Sequence, residues 1–542
     1  MLPWGRCMVA VRGFMDFTAP LIRCSLCRFL RCGRLWWVSL LGLGGALVAV
    51  PNMEKPALST EALDRYVARF NTMENEPVVN LVPNAESAAW LRANIPLFEC
   101  PDADVQEIYY FRWWSLRKHL RRAADTGNRH VFTEFITRPR PVSSALGHHL
   151  DEARWLRDRT FLNDTLLYWL CGGEGGQPQA HLHKYSQWLA YAVHQRYLVS
   201  GDRAFTLSLL DDLVRDFEQW AEAKQRDDGL FWQFDVWDAM EESISGSRTK
   251  KNIRPTINSY MFGNAQAIAA IARLDGRADL AAGFEQKAAT LRRLTQATLW
   301  DDAAKFFKVR FETGDLSDAR EAIGFIPWYF GLPEPGRGYE AAWSQFTDAN
   351  GFRGPIGITT AERRHPTFRS RGTGTCEWDG ASWPFATSQT LVALGRVLRD
   401  YPQTLVSSRD YFDAFLTYVR AQRYDGLPYI GEYYDESTGV WLKGRNERSR
   451  YYNHSTYADL LITGVVGLRP RADDTIEVHP LLPERTWNWF CLDNVAYHGR
   501  TLTILWDVDG KRYGRGAGMR LFADGKQIAH ADRLGRITGQ LP

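Results

Sequence analysis

The sequence predicts a mainly α-helical protein whose helices come as hairpins closing into a toroid, followed by a small C-terminal β-domain. Three observations carry that expectation. Apolar residues recur at helical spacing in successive segments from about Thr60 to Leu468. Several of those segments end in turns that are both aromatic and acidic. After Pro470 the pattern changes to short runs of strand-forming residues separated by Asp-Gly turns.

Taken in order, residues 1–52 read as a targeting segment. Six Arg (Arg6, Arg12, Arg23, Arg28, Arg31, Arg34) face a single acid, Asp16, ahead of an uncharged stretch from Leu35 to Val50. That stretch is long for a signal-peptide core and short for a membrane span, which needs ~20 apolar residues. Export with cleavage, or an N-terminal membrane anchor, is expected, unless Met53 is the true start. Residues 53–99 read as a lead-in. The helical body is expected over 100–470. Trp188, Tyr191, Ala192, Gln195 and Val199 mark one helix, ended by Gly201-Asp202, and Leu207 to Trp220 mark its successor. Gly263–Leu274 and Ala278–Leu299 form a second pair around Asp275-Gly276, and Ser388–Leu398 and Arg409–Arg423 a third around Tyr401-Pro402. The irregular period argues against a solenoid. Residues 471–542 hold the β-domain, with Thr475–His479, Thr501–Trp506 and Met519–Phe522 as strands.

Composition narrows the function. The chain has 542 residues, 45% apolar and 24% charged, which is ordinary globular usage. Aromatic content is 13%, with 21 Trp. That suits either a Trp-rich helical core or a protein that stacks on sugar faces. The net charge is +3, but the leader alone contributes a surplus of five, leaving the rest at −2. A slightly acidic body without a basic stripe excludes nucleic acid as the partner. Of eight cysteines, four lie in the leader; Cys24-x-x-Cys27 has no second pair at ligand spacing. Cys100, Cys171, Cys376 and Cys491 read as buried small hydrophobes. No metal and no cofactor are expected.

Two clusters carry chemistry. Phe231–Gly246 places Asp235, Asp238, Glu241 and Glu242 among Trp232, Trp237 and Met240. If its end is helical, Asp238 and Glu241 share a face, and two close carboxyls raise one pKa, as a general acid near neutrality requires. Tyr429–Gly439 offers Glu432 before Tyr433 and Tyr434. A glycosidase needs two carboxyls across the scissile bond, and here they come from distant parts of the chain. Three further stretches are candidate sugar contacts. They are Tyr110, Arg112 and Trp113 within Ile108–Arg117, with Glu134 nearby; Trp378, Asp379 and Trp383; and Tyr452 and His454 within Arg450–Tyr457. Trp237 and Tyr433 flank the carboxyls.

These segments resemble the (α/α)6-barrel glycosidases of the mannosylglycerate hydrolase, processing α-glucosidase and trehalase group, over about residues 100–470. Ala239-Met240-Glu241-Glu242-Ser243 matches the segment that holds the group's general acid, with Glu241 where the group has Asp. Gly431-Glu432-Tyr433-Tyr434, followed by Thr438-Gly439, matches its general-base segment. Trp378–Pro384 looks like its Gly-Pro-x-Trp-Pro loop, with Ala381 replacing Pro. The α-L-rhamnosidase barrels are similar too, and place the acid in an Arg-Asp-Glu segment. The resemblance implies inverting hydrolysis of an α-linked terminal unit, with Glu432 as base and Glu241, or else Asp238, as acid.

Two alternatives from other classes stay open. Tyr451, Asn453, His454 and Tyr457 within Arg450–Tyr457 suit a toroidal polysaccharide lyase, in which Tyr or His abstracts a proton while Asn and Arg neutralise a uronate. A catalytically inactive sugar-binding barrel would use the same carboxyls only to grip hydroxyls.

Overall fold

The computed structural model describes residues 56–542, apart from 79, 139, 371–375 and 445. The leader, with Cys7, Cys24, Cys27 and Cys32, lies outside the described residues. Residues 53–542 form one compact unit. It is mainly helical and ends in β-sheet.

Twelve helices set the frame: α1 (Glu61–Asn71), α2 (Ser87–Asn94), α3 (Ala103–Lys118), α4 (Leu146–Ala153), α5 (Thr160–Cys171), α6 (Leu189–Ser200), α7 (Arg203–Ser208), α8 (Leu210–Lys224), α9 (Pro255–Leu274), α10 (Ala278–Leu299), α11 (Pro384–Asp400) and α12 (Ser408–Ala421). Their ends follow from local sequence. Asp102 caps α3 by accepting from the Asp104 and Val105 amides, each at 3.1 Å. Pro255 and Pro384 open α9 and α11 at a position where a missing N–H costs nothing. Ser407 and Asp410 cap α12 reciprocally. Gly201 ends α6 in a left-handed conformation, at φ 66°.

The packing is cyclic. Helix α4 lies on α6, α6 on α9, α9 on the short helix Ile326–Tyr329, that helix on α11, α11 on Ala458–Leu460, and the last returns to α4. A second layer covers the first: α10 and α8 on α9, α5 on α8, α12 on α11 and α3. The expected pair 278–299 with its predecessor is seen as α10 on α9. By contrast α6 and α8 both use α9 as their main partner, rather than each other.

Helix α3 is buried on nearly every side. Surrounded by α1, α2, α12 and Ala458–Leu460, it is exposed only in its first turn, which explains its many aromatics. The C-terminal sheet runs β1-β2-β3-β4-β5, all antiparallel, with β1 (Leu97–Glu99), β2 (Trp489–Tyr497), β3 (Arg500–Asp507), β4 (Gly518–Ala523) and β5 (Lys526–Ala531). Its edge strand therefore comes from the lead-in, across nearly 400 residues. Thr475–Val478 pairs with Leu468–Arg469 and Ile537–Gln540 in a separate three-stranded sheet. Among the described residues, no helix is long and apolar enough to cross a membrane.

Candidate active site

Three loops are stitched together at one end of α11. The Asn453 amide donates to the Glu134 carbonyl (3.0 Å), and its side chain to the Thr133 carbonyl (3.1 Å). The Tyr452 amide donates to Ile430 (3.1 Å). His454 donates from Nε2 to the Glu432 carbonyl (3.0 Å), since a carbonyl can only accept. Burial drives that imidazole down to about 3, so it is neutral. Around these loops lies a pocket lined by Glu134, Glu241, Glu432, Trp383, Tyr452 and His454. Phe135, Arg138, Val142, Ser144, Tyr185, Ala239, Cys376, Phe385 and Arg448 complete the wall.

The Glu241 loop is held in an unusual backbone. Residues Asp235–Asp238 form a single 3₁₀ turn rather than the helix that would put Asp238 and Glu241 on one face. Ala239 (φ 58°) and Glu242 (φ 67°) on either side are both left-handed, a conformation that costs non-glycine residues ~1–3 kcal/mol and clusters at functional sites. Glu321 anchors the far side by accepting from the Ile244 amide at 2.8 Å. The two turns reverse the chain so that Glu241 enters the pocket while Glu242 pairs outside with Arg248 at 2.8 Å. Burial raises the Glu241 carboxyl, and the Glu432 charge adds to the effect.

Glu432 accepts from Lys443 Nζ (3.1 Å) and from the Ser449 hydroxyl (3.2 Å). The Cys376 thiol sits 3.9 Å from its other oxygen, and burial pushes that thiol up to about 11. Glu134 is buried. Burial pushes its carboxyl up to about 7 against hydrogen bonds from Ser144 (2.9 Å) and Tyr452, with Glu432 and Glu241 adding repulsion. Three carboxyls thus share one pocket and sense one another. Tyr452 in turn accepts from Arg448.

The arginines at the rim are differently placed. Arg138 and Arg448 both lie over the Phe135 ring, 5.1 and 4.8 Å from its centroid. Neither makes an ion pair with a carboxylate among the described residues.

Several expected contacts lie elsewhere. Asp238 is walled off, its carboxylate accepting from Arg254 Nε at 2.5 Å and from the Thr256 hydroxyl, with both ion-pair side chains 0% exposed. The extra turn at Ala239 is what separates it from Glu241. Tyr110 donates its hydroxyl to the Phe98 carbonyl at 2.9 Å, next to the β-sheet. Arg112 donates to Tyr418 (2.9 Å), Gln422 (3.1 Å) and the Ser455 carbonyl (2.7 Å), bracing the wall. Trp113 is wholly buried against Tyr109. All three sit on α3, in the part of it that is buried all round. Trp378 and Tyr433 lie behind the pocket, both stacked on Trp383 at 4.5 Å. Asp379 is buried, its carbonyl accepting from the Arg369 amide at 3.0 Å. Trp237 packs edge-on to Tyr185, 5.5 Å away, one layer back from the lining.

A desolvated carboxyl and a second one line the same aromatic-walled pocket on a helical frame, the arrangement of the glycoside hydrolase class. The chain belongs to the family of mannosylglycerate hydrolase MGH1-like glycoside hydrolase domains, whose model matches residues 138–455. Residues 468–530 match the C-terminal domain of glycosyl hydrolase family 65. Among solved structures, a protein named "Sialidase" is 49% identical at a TM-score of 0.87, over 89% of this chain and 45% of its own. The present chain thus spans less than half of that protein. A GH78 family rhamnosidase of a Bacillus species has 15% identity and a TM-score of 0.54, covering 79% of this chain and 41% of that one. An uncharacterized conserved protein from Thermus thermophilus has 16% identity and a TM-score of 0.51, covering 65% and 98%. These last two share the fold alone.

Proposed function

We propose that the chain hydrolyses a terminal glycosidic bond with inversion, on an (α/α)6 toroid made by the cyclic helix packing. Glu241 protonates the leaving oxygen as the bond to the anomeric carbon breaks. Glu432 takes a proton from a water whose oxygen attacks that carbon from the other face. Solvent then returns the proton to Glu241 and removes the one on Glu432. The observation that carries this reading is the contrast between the two carboxyls: Glu241 is raised by burial, as an acid needs, whereas Glu432 faces Lys443, a cation suited to a carboxylate partner. Asp238 is set aside as the acid because Arg254 and Thr256 occupy it. The family resemblance supports an α-linked glucosyl, mannosyl or similar unit. The leader over residues 1–52 supports export or anchoring of the enzyme.

A second reading of the substrate, an acidic sugar, rests on Arg138 and Arg448, two rim guanidiniums without carboxylate partners among the described residues. The name of the 49% identical relative agrees with it.

The test combines a variant with stereochemistry. Glu432→Gln is expected to lose ~10²–10⁴-fold in turnover while still binding sugar. Proton NMR of fresh product is expected to show the anomer opposite to the substrate's. Near-normal turnover of Glu432→Gln, or a retained anomer, would overturn the assignment. An unsaturated uronate product would favour the lyase, and binding without any turnover the inactive barrel.

A further inference from the structure

Helix α11 has Phe385 at the active-site pocket and Arg396 and Arg399 about 16 and 21 Å further along, at ~1.5 Å per residue. There a second cavity, of about 220 Å³, opens between α4, α6, α11, Ile326–Tyr329 and the segment 459–464. Its walls carry charges of both signs, and most are matched within the protein. Arg154 binds Asp459 through Nη2 (2.6 Å) and Nε (3.0 Å), and Trp155 donates to the same oxygen (2.7 Å). Asp151 accepts from Tyr329 (2.6 Å) and Trp188 (3.1 Å), with Arg154 3.8 Å away. Arg469 pairs with Asp400 at 3.0 Å.

Two cations are left over. Arg399 gives its N–H groups to backbone carbonyls of Thr463 (2.9 Å), Gly464 (3.2 Å) and His479 (2.7 Å). Among the described residues Arg396 makes one hydrogen bond, from Nη2 to the Tyr191 hydroxyl at 3.2 Å. Among the described residues, neither guanidinium is paired with a carboxylate. A guanidinium has five N–H donors in a rigid fork, and both of these side chains are half-buried in the cavity wall. Arg396 therefore presents unused donors to a cavity whose acids, Asp151, Asp400 and Asp459, are hydrogen-bonded or ion-paired to other groups, Asp400 adding only a longer-range attraction to Arg396. The Tyr191 hydroxyl, whose oxygen accepts from Arg396, has its own proton free to donate.

We propose that this cavity is an anion site, separate from the hydrolytic pocket, that takes a small oxyanion in two-point contact with Arg396. The fork geometry of the guanidinium matches phosphate and carboxylate oxygens alike. The site does not depend on the glycosidase assignment, and its occupancy braces the junction of four helices of the ring.

Thermal unfolding of the full chain is followed while sodium phosphate replaces sodium chloride at fixed ionic strength, with sodium acetate as a second arm. A saturable rise of roughly 2 °C or more is expected in wild type and not in Arg396→Met, whose hydrolytic rate is unchanged. A rise with acetate as well as phosphate assigns the site to carboxylates too. No rise in wild type, or an equal rise in the variant, overturns the proposal. Should Arg396→Met fail to fold, crystals of wild type soaked in tungstate decide it: an electron-dense oxyanion is expected beside Arg396, and its absence there overturns the site.

Discussion

Helix α3 and the loop around Arg448–His454 are built from the same kinds of residue and end up with opposite roles. Both are rich in Tyr and Arg, and each was a candidate wall of the pocket. On α3 the polar ends are absorbed by the protein: Tyr110 by Phe98, and Arg112 by Tyr418, Gln422 and Ser455. In the loop they are only half absorbed. Tyr452 meets Glu134 and Arg448, yet all three still line the pocket. What separates a structural aromatic-basic cluster from a binding one is hydrogen-bonding capacity left over after folding. A helix packed on all sides can spend that capacity only on the protein around it, and a loop lining a pocket keeps part of it for a ligand.

The largest expected effect tests this contrast between carboxyls. Under the proposed assignment Glu241→Gln loses ~10²–10⁴-fold in kcat on natural glycosides and much less on aryl glycosides whose leaving groups need little protonation. Since Glu241 acts protonated and its pKa is raised, wild-type activity is expected to fall as pH rises through that raised value. A wild-type alkaline limb unchanged in Glu241→Gln would remove it as the acid.

Asp238→Asn is the complementary experiment, and its expected effect is on folding. Removing the charge leaves Arg254 buried beside an amide, and breaking a buried pair in this way costs ~3–5 kcal/mol. Denaturant midpoints are expected to fall while the leaving-group dependence of kcat stays as in wild type. If instead the variant folds normally and loses activity only on poor leaving groups, the acid is Asp238 and the comparison of the two residues is reversed.

Much of this architecture is legible in the sequence. The helix boundaries at Gly201 and Asp275-Gly276 follow from backbone chemistry that any sequence displays, whereas the helix expected from Ser388 starts four residues earlier, at Pro384. Glu241 and Glu432 stand out because each sits in an aromatic loop directly after a helical hairpin. Other features cannot be read that way. The strand Leu97–Glu99 is three residues long and pairs with a partner nearly 400 residues away, so no local pattern announces it. The Glu241–Asp238 relation depends on a left-handed Ala239, a residue with no intrinsic preference for that conformation. Arg138 lies in Thr137-Arg-Pro-Arg-Pro141, which reads as a linker, and Arg448 in Asn446–Arg450, which reads as a solvated turn. Only folding brings both onto Phe135. Conversely the aromatic richness of α3 looks like a sugar platform because burial on all sides and exposure to a pocket select the same residues.

The smallest expected effect separates the two arginine environments. Arg448 lies over Phe135, donates to Tyr452 and has no carboxylate partner among the described residues, so its charge remains available to a ligand. If the substrate carries a carboxylate, Arg448→Met raises KM for it ~10-fold, equivalent to about 1.4 kcal/mol, and leaves KM for a neutral aryl glycoside within about twofold. Arg112→Met, by contrast, strips three buried acceptors of their donor, lowers the melting temperature and leaves the ratio of acidic to neutral substrate use unchanged in whatever protein folds. Because Arg448 also holds Tyr452, a variant that disturbs both substrates equally points to positioning of Tyr452 and Glu134 rather than to charge recognition. Arg448→Lys then decides between the two. It keeps the cation and loses the fork, so recovery of acidic-substrate KM with a persistent fall in kcat assigns the charge to the substrate and the geometry to Tyr452.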